Sequence, residues 1–188
     1  MDDYHQYRAC VRPKTLEWLS ARGPSDWHRL VMDLNWDHGS HSLLWIVSQD
    51  ECDAGTAQYI FWLAEPGYYA DDKLADRDRG EHFQREDYEL IQEIARRWVA
   101  GRYPTWNHHV FLQVRSRIEQ SGVQAGDRIN SELTIPSGID RPAKGESLEA
   151  QAPPSLDEIL EAVERNSDLT EGVPNEVSEA CQIYWPGN

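Results

Sequence analysis

Residues Asn35 to Tyr69 read NWDHGSHSLLWIVSQDECDAGTAQYIFWLAEPGYY, and this stretch decides the fold. Two apolar segments, Leu43 to Val47 and Ala57 to Ala64, flank an acidic connector, Asp50-Glu51-Cys52-Asp53. Both are apolar on nearly every side of a helix, since Trp45 and Ile46 fall off the face set by Leu43, Leu44 and Val47. Such a helix is usually a buried one, so the stretch predicts a compact helical hairpin at the centre of the fold. Asp53 stands where an N-cap belongs, and its charge suits the positive end of the helix dipole. Asp37 or Ser40 can cap the preceding helix, and Gly39 can take the positive φ of a tight turn. Pro66-Gly67 stops the second helix.

Upstream, residues 1 to 12 are polar and aromatic without a period. Thr15 to Ala21 predicts a short helix with Leu16 and Leu19 inward, broken at Gly23-Pro24. Ser25 can cap the next helix, where Trp27, Leu30, Val31 and Leu34 recur at amphipathic spacing. Downstream, residues 70 to 87 mix both signs of charge and read as an exposed loop. From Glu86 to Val99 a helix follows, striped by Tyr88, Ile91, Ile94, Ala95, Trp98 and Val99, and Gly101 and Pro104 end it. Residues 108 to 118 fit helix and strand alike. Helix is favoured, because the one available partner run, Ile129 to Ile135, stops at Pro136.

From Gly145 the composition becomes linker-like. Ser155-Leu156-Asp157-Glu158 is a capping box opening a short helix, with Leu156, Ile159, Leu160 and Val163 on one face. The expected architecture is mainly α. It comprises a helical bundle over residues 1–144, built on the central hairpin, and an acidic linker, helix and tail over residues 145–188. Helices at about 25–35, 40–49, 53–64 and 86–99 are expected to pack around Trp45, Ile60, Phe61 and Trp98.

The chain has 188 residues, with 18 Lys and Arg against 33 Asp and Glu, for a net charge of -15. A surface of that sign repels phosphate backbones, which argues against nucleic-acid binding, and it attracts a basic protein partner. Residues 145 to 188 carry ten acids and one base, so the excess is concentrated in the last quarter. No apolar run reaches membrane-spanning length, and the N-terminus lacks the apolar core of a signal peptide. Cys10, Cys52 and Cys181 are odd in number and form no metal spacing. Free thiols in a reducing, cytoplasmic compartment are the expectation.

The order Asn35-Trp36-Asp37-x-Gly39, Trp45-Ile46 and Cys52-Asp53-x-Gly55-Thr56-Ala57 resembles a bacterial family known as domain of unknown function 4274. The likeness runs from about Ser25 to Tyr69. It extends to Asp87–Tyr103 and to the run from Ile135-Pro136 to Gly145-Glu146. No activity comes with the family. Some relatives resemble small cytosolic proteins found beside secreted toxins, and the resemblance therefore implies an immunity role by association.

Three clusters offer chemistry. Asp37, His38 and His41 can approach a divalent metal, with His108-His109 as further donors, and so suggest a small metal-assisted hydrolase. These histidines are not part of the family pattern, and solvated turn residues are the simpler reading. Cys52 at a helix start can have a lowered thiol pKa, which the neighbouring Asp53 opposes, so a small buried thiol is the simpler reading. Glu65, or the Asp71-Asp72 pair, beside Tyr68-Tyr69 could serve as an acid/base site, but charged loops are commonly just solvated. Phosphate loops, nucleophile elbows and zinc-helix motifs are absent from the sequence. The expectation is a non-enzymatic protein, without cofactor or metal, that neutralises a cognate toxin bearing a basic surface. Its expected contact residues are Asp71, Asp72, Asp76 and Glu81 in the loop and Asp157, Glu158, Glu161 and Glu164 on the C-terminal helix.

Overall fold

The computed structural model describes residues 3–36, 40–70, 82–108, 111–141, 169–170 and 172–181. The architecture is mainly α, as the sequence predicts. The chain groups into two units, residues 1–38 with 152–188 and residues 39–151. The boundary expected at 144/145 lies outside the described residues. The C-terminal residues 169–181 close the first unit.

In the first unit, α1 spans Asp3–Ser20 and α2 spans Pro24–Asp33. The helix expected to begin at Thr15 thus starts far earlier, and Pro13 lies inside it. A proline there costs one backbone hydrogen bond. Buried Trp18 and Leu19 face inward, while Leu16 is only half-buried. Gly23, not Ser25, is the N-cap of α2, because Pro24 takes the first helical position, where its missing N–H costs nothing. Trp27, Leu30 and Val31 form the buried stripe. The Trp27 indole donates to the Leu19 carbonyl at 2.9 Å, tying α2 to α1.

Two short antiparallel strands, β1 (Leu169–Thr170) and β2 (Val173–Pro174), pair next to α7 (Asn175–Cys181). Gly172 has φ +76, and a Cβ there would lie 2.6 Å from the Leu34 side chain. Its N–H donates to Asp33 at 2.9 Å. Cys181 forms a disulfide with Cys10, 171 residues away in sequence. This corrects the expectation of three free thiols, since only Cys52 is free. Spacing alone cannot reveal a pairing between chain ends that only the fold brings together.

The second unit holds α3 (His41–Val47), α4 (Ala54–Leu63), a 3-10 helix (Pro66–Ala70), α5 (His82–Val99) and α6 (Phe111–Ser121). A short connector joins α3 and α4, yet each finds its main partner elsewhere. The chief contacts of α3 are with α5, and those of α4 are with α6 and α5. Almost all of α4 is buried, as an all-round apolar helix should be.

Ile60 and Phe61 are fully buried, as expected. Trp45 and Trp98 are half-exposed instead of central. Trp45 lies off the face of α3 that buries Leu43, Ile46 and Val47, and Trp98 sits in the last turn of α5. Val99 is 78% exposed, so the stripe of α5 ends at Ala95, and Leu90 joins it. Gly101, at φ +65, closes α5. Its N–H reaches the Trp98 carbonyl at 3.0 Å, and the N–H of Arg102 reaches Arg97 at 2.9 Å. This pair of bonds is a Schellman cap.

Residues 111–121 are helical, which resolves the ambiguity of that run. Ile129, Leu133, Ile135 and Ile139 are buried in the loop beyond. Within that loop Asn130 is a hub. Its amide donates to the Tyr69 carbonyl at 3.0 Å. Its side-chain oxygen accepts from the Tyr88 hydroxyl at 3.1 Å and from the N–H of Glu132 and Leu133. No helix among the described residues is long and apolar enough to cross a membrane.

Candidate functional site

The motif Cys52-Asp53-x-Gly55-Thr56 is spent on building. The Asp53 carboxylate is buried and accepts three backbone N–H groups, from Gly55 at 2.9 Å, Asn107 at 2.6 Å and His108 at 3.2 Å. The first bond caps α4, and the other two clip the loop after α5 onto the same helix end. Ala54 N–H completes the clip by donating to the Thr105 carbonyl at 2.8 Å. Gly55 is a glycine for want of space, since a Cβ there would collide with the carbonyl oxygen of His108.

Cys52 is fully buried, and burial pushes its thiol pKa up to about 12, helped by the Asp53 charge and opposed by Arg97. It is therefore a packing thiol. Arg97, 8% exposed, holds the connector in place. It donates to the Gln49 carbonyl at 3.0 Å and pairs with Asp50 at 2.7 Å.

Beside this clip lies a cleft of about 510 Å³, lined by Ala54, Trp98, Tyr103, Trp106, Gly138 and Arg141 among others. Trp98 meets Trp106 edge to face at 5.4 Å. The Trp98 indole donates to the Ser137 carbonyl at 3.3 Å. Tyr103 is a wall and not an acid: its hydroxyl donates to the Val47 carbonyl at 3.0 Å, and burial, chiefly, raises its pKa. Gln58 fixes the opposite rim. From inside α4, its amide donates to the carbonyls of Ile139 at 2.8 Å and Arg141 at 2.6 Å. The Trp62 indole adds a bond to Ile139 at 3.0 Å.

The expected contact residues Asp71, Asp72, Asp76, Glu81, Asp157, Glu158, Glu161 and Glu164 lie outside the described residues, as do Asp37, His38 and His109. His41, half-buried, is the first residue of α3, and His108 presents its backbone to Asp53. Glu65 takes φ 53 and pairs with Arg117 at 3.1 Å. Burial raises the Tyr69 pKa, with Asp87 the next cause. Arg96 and Arg115 are likewise engaged, with Glu93 and Glu119. Among the described residues no group of three or more His, Cys, Asp or Glu side chains could hold a metal ion.

Residues 22–99 match the family model described as domain of unknown function DUF4274. The resemblance read from the motif thus holds over α2 to α5. No curated protein and no solved structure matches the chain. The DUF4274 match contains Asp53, Gly55, Gln58, Arg97 and Trp98, while Trp106, Gly138 and Arg141 lie beyond it. One signal for this region was present in the sequence and passed over. Gln58 is a lone amide inside an apolar helix, and a buried amide must find partners.

Proposed function

We propose that the protein is a non-enzymatic binding module of the immunity type, which neutralises a cognate toxin by covering a basic surface. The observation that carries this reading is the charge: -15 in total, with ten acids against one base in residues 145–188. Such a surface steers a basic partner and rejects nucleic acid. The use of Asp53, Gly55 and Cys52 for capping and packing supports it, because the most distinctive motif is already accounted for by structure.

The test is to look for a secreted effector encoded beside the gene, and then to measure association with it and protection of cells that express it. Joint replacement of Asp157, Glu158, Glu161 and Glu164 by Asn or Gln is expected to slow association and flatten its salt dependence. Joint replacement of Asp71, Asp72, Asp76 and Glu81 probes the loop in the same way. An unchanged on-rate and full protection in both variants would remove the acidic residues from the interface. Charge replacement is cleaner than truncation at Glu149, which would also delete α7 and Cys181.

The reading places the protein in the cytoplasm, where thiol reductants oppose disulfides. Trapping thiols at lysis tests that placement. A fully oxidised Cys10–Cys181 pair would point to an oxidising compartment instead. For the hydrolase based on Asp37, His38 and His41, metal analysis of the purified protein is the test. A stoichiometric divalent ion lost on mutating His38 and His41 would favour it over the binding module.

A further inference from the structure

The cleft beside the α4 cap has the dimensions and lining of a small-molecule site, apolar walls with few polar groups. Trp98 and Trp106 stand at 89° to one another. A flat ring can therefore stack on one indole while meeting the edge of the other. Ala54 and Gly138 add little side-chain bulk to the lining.

Among the described residues, the one cation lining the cleft is Arg141, which is exposed and makes no ion pair with any of them. Its stem runs beside Gly138, whose would-be Cβ lies 3.9 Å from Arg141 Cδ. Its backbone is held by buried Gln58, which spends its amide on the carbonyls of Ile139 and Arg141. In a chain of net charge -15, this is a local reversal of sign at the edge of an aromatic cleft. A cation would gain from the indole faces but meet the guanidinium. A carboxylate gains a charge-assisted, bidentate bond there.

We propose that this cleft binds a small planar aromatic carboxylate, its ring against Trp98 and Trp106 and its carboxylate on the Arg141 guanidinium. The proposal is independent of the toxin-binding reading and stands or falls without it.

The test uses the full oxidised chain and three probes that share one ring: indole-3-acetate, its neutral amide and the cation tryptamine. Titrations follow the tryptophan indole N–H resonances, assigned through Trp98→Phe and Trp106→Phe. Indole-3-acetate is expected to shift the Trp98 and Trp106 signals saturably, with an affinity at least roughly tenfold above that of the amide, while tryptamine leaves them in place. Arg141→Gln, at an exposed position, is expected to keep the melting temperature and to abolish the preference of the acid over the amide. Absence of a saturable shift at millimolar indole-3-acetate would overturn the proposal. So would equal binding of tryptamine, or an Arg141→Gln protein that still prefers the acid.

Discussion

The two units reach stability by different routes. The second is continuous in sequence and organised by α4, a helix buried along almost its whole length. Three of the polar side chains it buries are tied to backbone: Asp53 to three N–H groups, Gln58 to two carbonyls, Asn130 to a carbonyl and two N–H groups. The first unit is assembled from the two ends of the chain. It joins α1 and α2 to a two-residue hairpin and a short helix, and the Cys10–Cys181 bond closes it. A continuous unit can rely on packing and capping. A unit made of distant segments must also meet the entropy of bringing them together, and a cross-link reduces that cost in the unfolded chain.

The largest effect should come from breaking that cross-link. Replacing Cys10 and Cys181 by Ser removes a link between residues 171 apart, worth about 5 kcal/mol on the chain-entropy treatment. The expected outcome is an early melting transition of the first unit, with the second little changed. Coincident shifts of both units would break the comparison.

Next is Phe61→Ala, which empties a fully buried position of α4. It should cost the second unit about 3–5 kcal/mol in a denaturant melt. A loss below about 1 kcal/mol would mean that α4 is not the centre of its unit.

The cap comes third. Asp53→Ala leaves three backbone donors without their acceptor and should cost about 2–3 kcal/mol, with Asp53→Asn losing less. Gly55→Ala sharpens the point through its sign. In an ordinary helix interior the change stabilises by about 0.5–1 kcal/mol. Here the added methyl meets the His108 carbonyl, and a loss of about 1–3 kcal/mol is expected. A gain in melting temperature would show that the loop does not sit against the helix.

The smallest effect concerns Asp87. Burial raises its pKa above 3.8, partly offset by the nearby Ser40 hydroxyl. The folded state therefore holds its proton more tightly than the unfolded chain. Its contribution to stability is present below pH 3.8 and is lost as the pH rises through the folded-state pKa. Asp87→Asn should flatten that decline and change neutral-pH stability by no more than about 0.5 kcal/mol. A variant whose pH profile matches the parent would assign the decline to other groups.

The same contrast explains what could be read from the sequence. In the second unit the signals are local. The apolar run around Ile60 and Phe61, the Asp53 cap and the glycine stop at Gly101 each act within a few residues, so period and capping chemistry reveal them. The expectations that failed there concern Trp45, which lies off the buried face of α3, and the end of α5, where Trp98 and Val99 continue a stripe that the core no longer covers. In the first unit the decisive contacts join Asp33 and Leu34 to Gly172, and Cys10 to Cys181. Nothing local marks those pairs, and residues 169–181 consequently read as a tail. The aromatic cleft was hidden for a similar reason, since Ala54, Trp98, Trp106 and Arg141 come from four separate places in the chain.

Amide hydrogen exchange of the intact protein, with and without reductant, reads both units in one experiment. If the comparison holds, reduction raises exchange in α1 and α7 while α4 and α5 keep their protection. Loss of protection in α4 together with α1, or unchanged protection in both, would contradict a first unit held by its covalent clasp and a second held by its buried helix.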